Sequence, residues 1–339
     1  MKKINRRNFI RRSVAAGAGL SISPALFSAG HDHGSGQDVR IGIIGLDTSH
    51  SIAFTRIINN PEDEDMRGYR VVAAYPYGSR TIESSYTRIP GYTEEIKSMG
   101  IAITGSIREL LGMVDVVLLL TNDGTLHLKQ AMEVFEAGKM VFIDKPVAGS
   151  LKDAIEIFRA GERYGIPVFS SSSLRWARHA QALRSGELAG RIIGADAYSP
   201  ALIEPTHPDL FWYGVHGVET LYTVMGTGCR EVKRFYTEGT DVVVGTWHDE
   251  RLGTFRGGRE GRTGYGGTAF GLDGVHDIGP YDGYRPMMLE LIRFFGTGEP
   301  PVKASETIEI FAFMEAADES KRRGGAAVLL DDVMRAAAG

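Results

Sequence analysis

The chain of 339 residues contains a single cysteine, Cys229. An intrachain disulfide is therefore impossible, and a zinc site built mainly from thiolates is excluded. Beyond the N-terminal segment there is no run of 18 or more apolar residues, so no stretch has the length a membrane-spanning helix requires. Basic residues are in deficit. Of 38 lysines and arginines, six (Lys2, Lys3, Arg6, Arg7, Arg11 and Arg12) fall in the first 29 residues, which carry no acid. The rest of the chain sets 32 basic residues against 42 acidic ones, a net charge of about −10. Such a surface argues against a nucleic-acid partner, because phosphate binding needs a basic face. No Gly-x-Ser-x-Gly elbow or other nucleophile motif is present. No internal repeat is visible.

What remains reads as globular. Hydrophobic residues make up 43% and charged residues 24%, and the length suggests about two domains. Residues 1–29 form a separate segment, a basic n-region followed by a weakly apolar stretch from Val14 to Phe27. Asn5-Arg6-Arg7-Asn8-Phe9-Ile10-Arg11 has the form of a twin-arginine export signal, which places the protein in the periplasm or otherwise outside the cytoplasm. That route carries folded proteins, so a nucleotide used by this chain would have to leave the cell tightly held. Residues 30–37 read as a flexible linker.

From residue 38 onward short apolar runs alternate with amphipathic ones. Strands are expected at Val39–Ile44, Arg70–Ala74, Val114–Leu120 and Met140–Ile143, and helices at Ser51–Asn59 and around Leu128, Met132 and Phe135. This order implies βαβ units on a parallel sheet, an α/β Rossmann-type domain over residues 38–150. Residues 151–339 read as a second, α+β domain. A helix near 151–164 and a strand at Pro167–Ser170 precede β-rich segments at Ile192–Ala197, Glu231–Tyr236, Asp241–Trp247 and Gly253–Arg256. These suggest a largely antiparallel sheet, and two helices carrying Met288 to Phe295 and Ile310 to Ala317 close the chain.

The chemistry-bearing motifs sit where those strands end. Gly45-Leu46-Asp47-Thr48-Ser49-His50 follows the first strand. A dinucleotide fingerprint would need Gly-x-Gly-x-x-Gly/Ala there, and only Gly45 matches. Asp47 stands at the second glycine, where a carboxylate about 4 Å from a phosphate would be repelled by roughly 4 kcal/mol at a surface-like dielectric. Thr48 and Ser49 still open a helix and offer a possible anion site. After the second strand there is no ribose-binding acid; Ser79 and Arg80 suit a phosphate, which leans toward NADP, or form a plain turn. Thr121-Asn122-Asp123-Gly124-Thr125-Leu126-His127 follows the third strand and Asp144-Lys145-Pro146 the fourth, at the carboxyl ends where open α/β sheets bind ligands. Arg175, Trp212 and Tyr213 are candidate substrate contacts, the aromatic rings for a sugar face. No metal site is proposed, since His248 and His276 lack ligand spacing and convergence of Asp47, His50, His127 and His216 has no support from spacing.

Together these features resemble the Gfo/Idh/MocA oxidoreductase family over roughly residues 38–330. The resemblance rests on the alternating first half, the Thr121 to His127 segment, Asp144-Lys145-Pro146 in place of a Glu-Lys-Pro, Gly138-Lys139 before it, and the C-terminal Glu299-Pro-Pro-Val302 and Gly324-Gly325. It implies a Rossmann domain and a second domain with an open-faced, mostly antiparallel sheet, which often makes dimers. It also implies NAD(P)-linked chemistry on a sugar or polyol, with Gly45, Thr48, Ser49, Ser79, Arg80, Thr121, Asn122, His127, Asp144 and Lys145 toward the nucleotide. The family's Asp-x-Gly-x-His motif aligns with Trp212-Tyr213-Gly214-Val215-His216, the acid replaced by Trp212. Glu219 matches a further polar position toward substrate. By the same resemblance His216 is the general base that takes the hydroxyl proton, and Lys145 steadies the oxyanion. Asp47, His50 and Trp212 keep two other readings open: redox-neutral sugar chemistry on the same scaffold, or a carbohydrate-binding relative without nucleotide.

Overall fold

The computed structural model describes residues 38–339. The proposed signal segment and the linker lie outside the described residues. The first sheet has six parallel strands in the order β3-β2-β1-β4-β5-β6. These are β1 (Val39–Ile44), β2 (Tyr69–Tyr75), β3 (Ala102–Ile103), β4 (Val116–Leu119), β5 (Met140–Ile143) and β6 (Val168–Phe169). All five pairings are parallel, which requires crossover connections and both faces covered. Along β1, Ile41 and Ile43 point to one core and Ile44 to the other.

The helices divide between those two faces. α1 (Ser49–Ile58) buries Ile52, Phe54 and Ile58 against one side. The crossover from β2 carries the short α2 (Glu83–Tyr86) and α3 (Ile89–Ser98), followed after β3 by α4 (Ile107–Leu111). α4, α5 (His127–Glu136) and α6 (Leu151–Tyr164) cover the opposite face. Thr48 caps α1 and Ser150 caps α6, their hydroxyls accepting from the backbone N–H groups of His50 and Asp153. β6 pairs with β5, so the first sheet runs past the domain boundary expected at residue 150. The apolar run at Val168–Phe169 was too short to reveal which sheet it joins.

The second sheet has seven strands in the order β12-β11-β7-β10-β9-β8-β13. It comprises β7 (Ile192–Pro200), β8 (Cys229–Tyr236), β9 (Thr240–Trp247), β10 (Leu252–Gly258), β11 (Gly266–Gly271), β12 (Gly274–Asp277) and β13 (Val328–Leu329). Every pairing is antiparallel except β7 with β10. Its inner face packs on α8 (Gly214–Met225) and on the long helix α10 (Ala304–Arg322), reached after the short α7 (Arg178–Arg184) and after α9 (Arg285–Thr297). The outer face leaves Ile193, Tyr198, Phe235 and Leu252 exposed. Two departures from expectation concern helices. α9 does not join the second sheet: Met287, Met288, Leu291, Phe294 and Phe295 pack with Ile41, Ile43 and Phe54 of the first. A third closing helix, α11 (Leu330–Ala338), follows β13. No described helix is long and apolar enough to cross a membrane.

Candidate active site

The loops after β1, β4, β5 and β6 meet the start of α8 around one cavity of about 360 Å³. Lys145 reaches it because Asp144 and Lys145 directly follow β5. His216 reaches it from the first turn of α8. Thr48, Ser49 and Asn122 line the wall on the first domain, Trp212 and Tyr213 the wall on the second. These seven residues are the ones from the sequence reading that the fold brings to the cavity.

His216 is the better-prepared proton acceptor. Its Nδ1 lies 2.8 Å from Ser172 Oγ, which also accepts from the Leu174 N–H. When Nδ1–H donates to Ser172, the Nε2 lone pair is left for a substrate. Enclosure pushes the His216 pKa well below 6.5, and the nearby positive charges of Lys145 and His50 lower it further. The imidazole is therefore neutral at pH 7, the state a general base requires.

A second histidine faces the same space. His50 Nδ1 sits 2.5 Å from Asp144 Oδ2, while Asp144 Oδ1 accepts the Lys145 N–H at 2.9 Å. Burial alone would raise the Asp144 pKa, but the charges of His50 and Lys145 outweigh it and hold the carboxyl at about 2. The ionised carboxylate thus fixes the His50 ring, which also stacks on Phe54 at 4.9 Å. In the sequence His50 stands as a departure from the fingerprint's small packing residue and as a metal ligand without supporting spacing, not as a partner of Asp144. Its signal was the acid-histidine complementarity between two strand ends, which spacing cannot show. Tyr265, Tyr281 and Tyr284 also line the cavity. They come from glycine- and proline-rich loops, where aromatic residues have no periodicity to mark them.

Other expected site residues lie elsewhere. Arg175 is buried, with Nε 2.7 Å from Glu219 and Nη1 2.7 Å from Glu306. Glu219 in turn accepts from the Ser172 N–H at 2.7 Å and Ser171 Oγ at 3.1 Å. Both were expected to touch substrate; instead they hold the Ser170–Ser173 loop that carries Ser172 to His216. His127 is also buried, its two ring nitrogens on the carbonyls of Thr121 and Val147, so it braces the loop after β4 rather than facing a nucleotide. Thr121 is likewise buried. Gly45 makes the tight turn out of β1 with φ of +93°, and a Cβ there would lie 2.5 Å from the Thr121 nitrogen. Ser79 is buried with its hydroxyl capping Thr81 and Ile82, which removes half of the phosphate-binding pair. Arg80 is exposed and outside the cavity lining.

Asp47 is the largest departure. It is fully buried, and its carboxylate accepts the N–H of Ser79 after β2 at 3.1 Å and that of Asn122 after β4 at 3.0 Å. Burial raises its pKa to about 6, with the two backbone donors pulling it back. Charge repulsion with a phosphate, expected from the sequence, is only part of the matter: the side chain is also a structural tie between three strand ends.

Residues 39–171 match the family model for Gfo/Idh/MocA, described as an oxidoreductase family with an NAD-binding Rossmann fold. Over those residues the chain is similar to that family. Solved structures extend the likeness across both domains. The scyllo-inositol dehydrogenase of Lactobacillus casei, with bound NAD(H) and scyllo-inositol, superposes with a TM-score of 0.67 at 14% identity, covering 87% of this chain and 100% of that one. The myo-inositol 2-dehydrogenase of Lactobacillus plantarum gives 0.70 at 15%, covering 86% and 99%. An oxidoreductase of Agrobacterium radiobacter in complex with NAD+, L-tartaric acid and magnesium gives 0.69 at 14%, covering 88% and 100%. At such identity the likeness establishes the shared two-domain fold. No curated protein sequence matches the chain.

The family model implies a nicotinamide dinucleotide. Polar groups of Thr48, Ser49 and Asn122 beside Lys145 suit one end of such a ligand. The rest of the crevice does not suit it, because the Asp47 carboxylate already holds the backbone donors above the end of β1. The open cavity of about 360 Å³ lies at the small end of the roughly 300–1,000 Å³ typical of ligand sites.

Proposed function

We propose that this cavity is the active site of an enzyme acting on a small sugar or polyol, with Lys145 and His216 at the reacting hydroxyl or carbonyl. The observation that carries the reading is the convergence of Lys145, His216 and the carboxylate-backed His50 on one cavity at the strand ends. The aromatic wall of the second domain suits the apolar face of a sugar. His216 Nε2 accepts the proton of a substrate hydroxyl, with Ser172 orienting the ring. The Lys145 ammonium donates to the oxygen on which negative charge develops. His50, oriented by Asp144, is a second proton carrier on the opposite wall.

Two reaction classes follow from the same residues. The family match of the first domain favours an oxidoreductase using NAD or NADP, the nucleotide held tightly through twin-arginine export to the periplasm; with Ser79 engaged elsewhere, a preference for NADP rests on Arg80 alone. Asp47 favours a redox-neutral reaction, such as elimination, hydrolysis or epimerisation, in which two histidines serve as acid and base. Denaturing the purified protein and assaying released nucleotide by mass spectrometry separates them: stoichiometric NAD(P) supports the first, none the second. The active-site reading is tested by a thermal-shift screen of inositols, alditols and aldoses on wild type and Lys145→Ala. Ligands that stabilise only the wild type are expected; an absence of any, or equal shifts in both proteins, refutes it. The exposed apolar residues of the second sheet further suggest a homo-oligomer joined through that face.

A further inference from the structure

We infer that Asp47 is a specificity-determining residue that occupies the nucleotide crevice from within and weakens dinucleotide binding to this chain. The inference rests on reading the crevice as the family's nucleotide site, and it assigns the exclusion to one side chain. In an open α/β sheet a dinucleotide crosses the end of the first strand, from the second strand's side to the fourth's, with its pyrophosphate on the first helix. Asp47 spans the same ground. One carboxylate oxygen takes the N–H of Ser79 beyond β2, and the other takes the N–H of Asn122 beyond β4. These are fixed backbone donors of the kind an anionic or hydroxyl-rich ligand backbone would use, and here a covalently attached anion satisfies them.

The surroundings are shaped for that carboxylate. A Cβ on Gly78 would fall 1.9 Å from Asp47 Oδ2. Gly78 is not in the left-handed region, so its backbone does not need glycine; the space it leaves is filled by Asp47. A second tie closes the same gap. Asn122 Nδ2 donates to Ser85 Oγ at 3.0 Å, joining the loop after β4 to α2 in the crossover from β2. Two hydrogen-bonded bridges thus pass over the end of β1. A dinucleotide must break the Asp47 bridge and bring its phosphates against a carboxylate, whereas a sugar in the cavity disturbs neither.

The test is direct titration of the full chain with NADH and NADPH at pH 7.5, followed by nucleotide fluorescence. Wild type, Asp47→Gly and Asp47→Asn are compared. Asp47→Gly restores the fingerprint glycine and should bind at least about tenfold more tightly than wild type, a difference of ~1.4 kcal/mol. Asp47→Asn keeps the size, removes the charge and should fall between them. Asp47→Asn is the deciding variant if the glycine variant fails to fold. Equal affinity in all three proteins overturns the inference, as does stoichiometric dinucleotide in purified wild type. Binding by none of them also overturns it, since something other than Asp47 would then be closing the crevice. Sugar-induced thermal shifts recorded on the same proteins keep this outcome separate from the active-site reading: they should be unchanged in Asp47→Asn even if nucleotide affinity rises.

Discussion

Replacing Arg175 with alanine should weaken the support of His216 without removing a substrate contact. The guanidinium is buried between two carboxylates, 2.7 Å from Glu219 and 2.7 Å from Glu306. Removing one partner of a buried ion pair typically costs about 3–5 kcal/mol, because a charge is left without compensation. Glu306 keeps Arg184 at 3.0 Å, while Glu219 keeps only Ser171 and the Ser172 N–H. The expected loss is therefore at the low end, about 3 kcal/mol, read from urea unfolding followed by tryptophan fluorescence. The loop released by Glu219 carries Ser172 and hence the hydrogen bond to His216 Nδ1, so kcat should fall while KM changes little. An Arg175→Ala protein that loses less than about 1 kcal/mol and shows a raised KM with kcat intact would put the guanidinium on the substrate and refute this account.

Other expectations follow from the same geometry. Because enclosure holds His216 neutral well below 6.5, the acid limb of kcat/KM should lie below pH 6.5, and His216→Ala should lower kcat by roughly 10²–10⁴; an acid limb at or above 6.5 contradicts the assignment. His216 binds protons less readily when folded, so its contribution to stability is complete above 6.5 and is lost as pH falls below that value. Asp47 acts in the opposite direction: its folded pKa is raised from 3.8 to about 6, so wild type should lose about 1.4 kcal/mol of stability per pH unit between pH 4 and 6 relative to Asp47→Asn. Parallel urea titrations at pH 4.5 and 6 check this, and equal slopes rule it out. Phe235→Asp on the outer sheet face should shift an oligomer toward monomer in light scattering, and an unchanged mass would place any interface elsewhere.

The sheet strands were legible because their apolar runs are short, buried and bounded by turn residues. Val39–Ile44 and Met140–Ile143 appear at the expected residues and the other expected strands within a few positions, whereas β3, β11, β12 and β13, short or glycine-rich, were not expected. The helix at residues 285–297 was legible as a helix and not as a neighbour. Its apolar stripe of Met288, Leu291 and Phe295 is equally compatible with either sheet, and only the path of the chain back to the first domain decides between them. The site divides in the same way. Lys145 and His216 are marked by motifs at the ends of secondary structure, so their place at the cavity could be expected. Arg175 and Glu219 spend their charges on each other and on Glu306, 44 and 131 positions from Arg175, which leaves no local trace; His127 and Ser79 turn to backbone groups 2 to 20 positions away, which only the folded loops reveal. Asp47 is the converse case: the missing glycine was plain, while its bonds to Ser79 and Asn122 needed the folded loops.

Lys145 and His216 are proposed to act together on one bound sugar or polyol. A crystal structure of the full chain with a polyol taken from the thermal-shift screen tests it most directly. The expected result is a substrate oxygen within hydrogen-bonding reach, about 2.6–3.2 Å, of both Lys145 Nζ and His216 Nε2, with its ring against the aromatic wall of the second domain. A polyol bound outside the cavity, or within it but beyond reach of both groups, would contradict the claim.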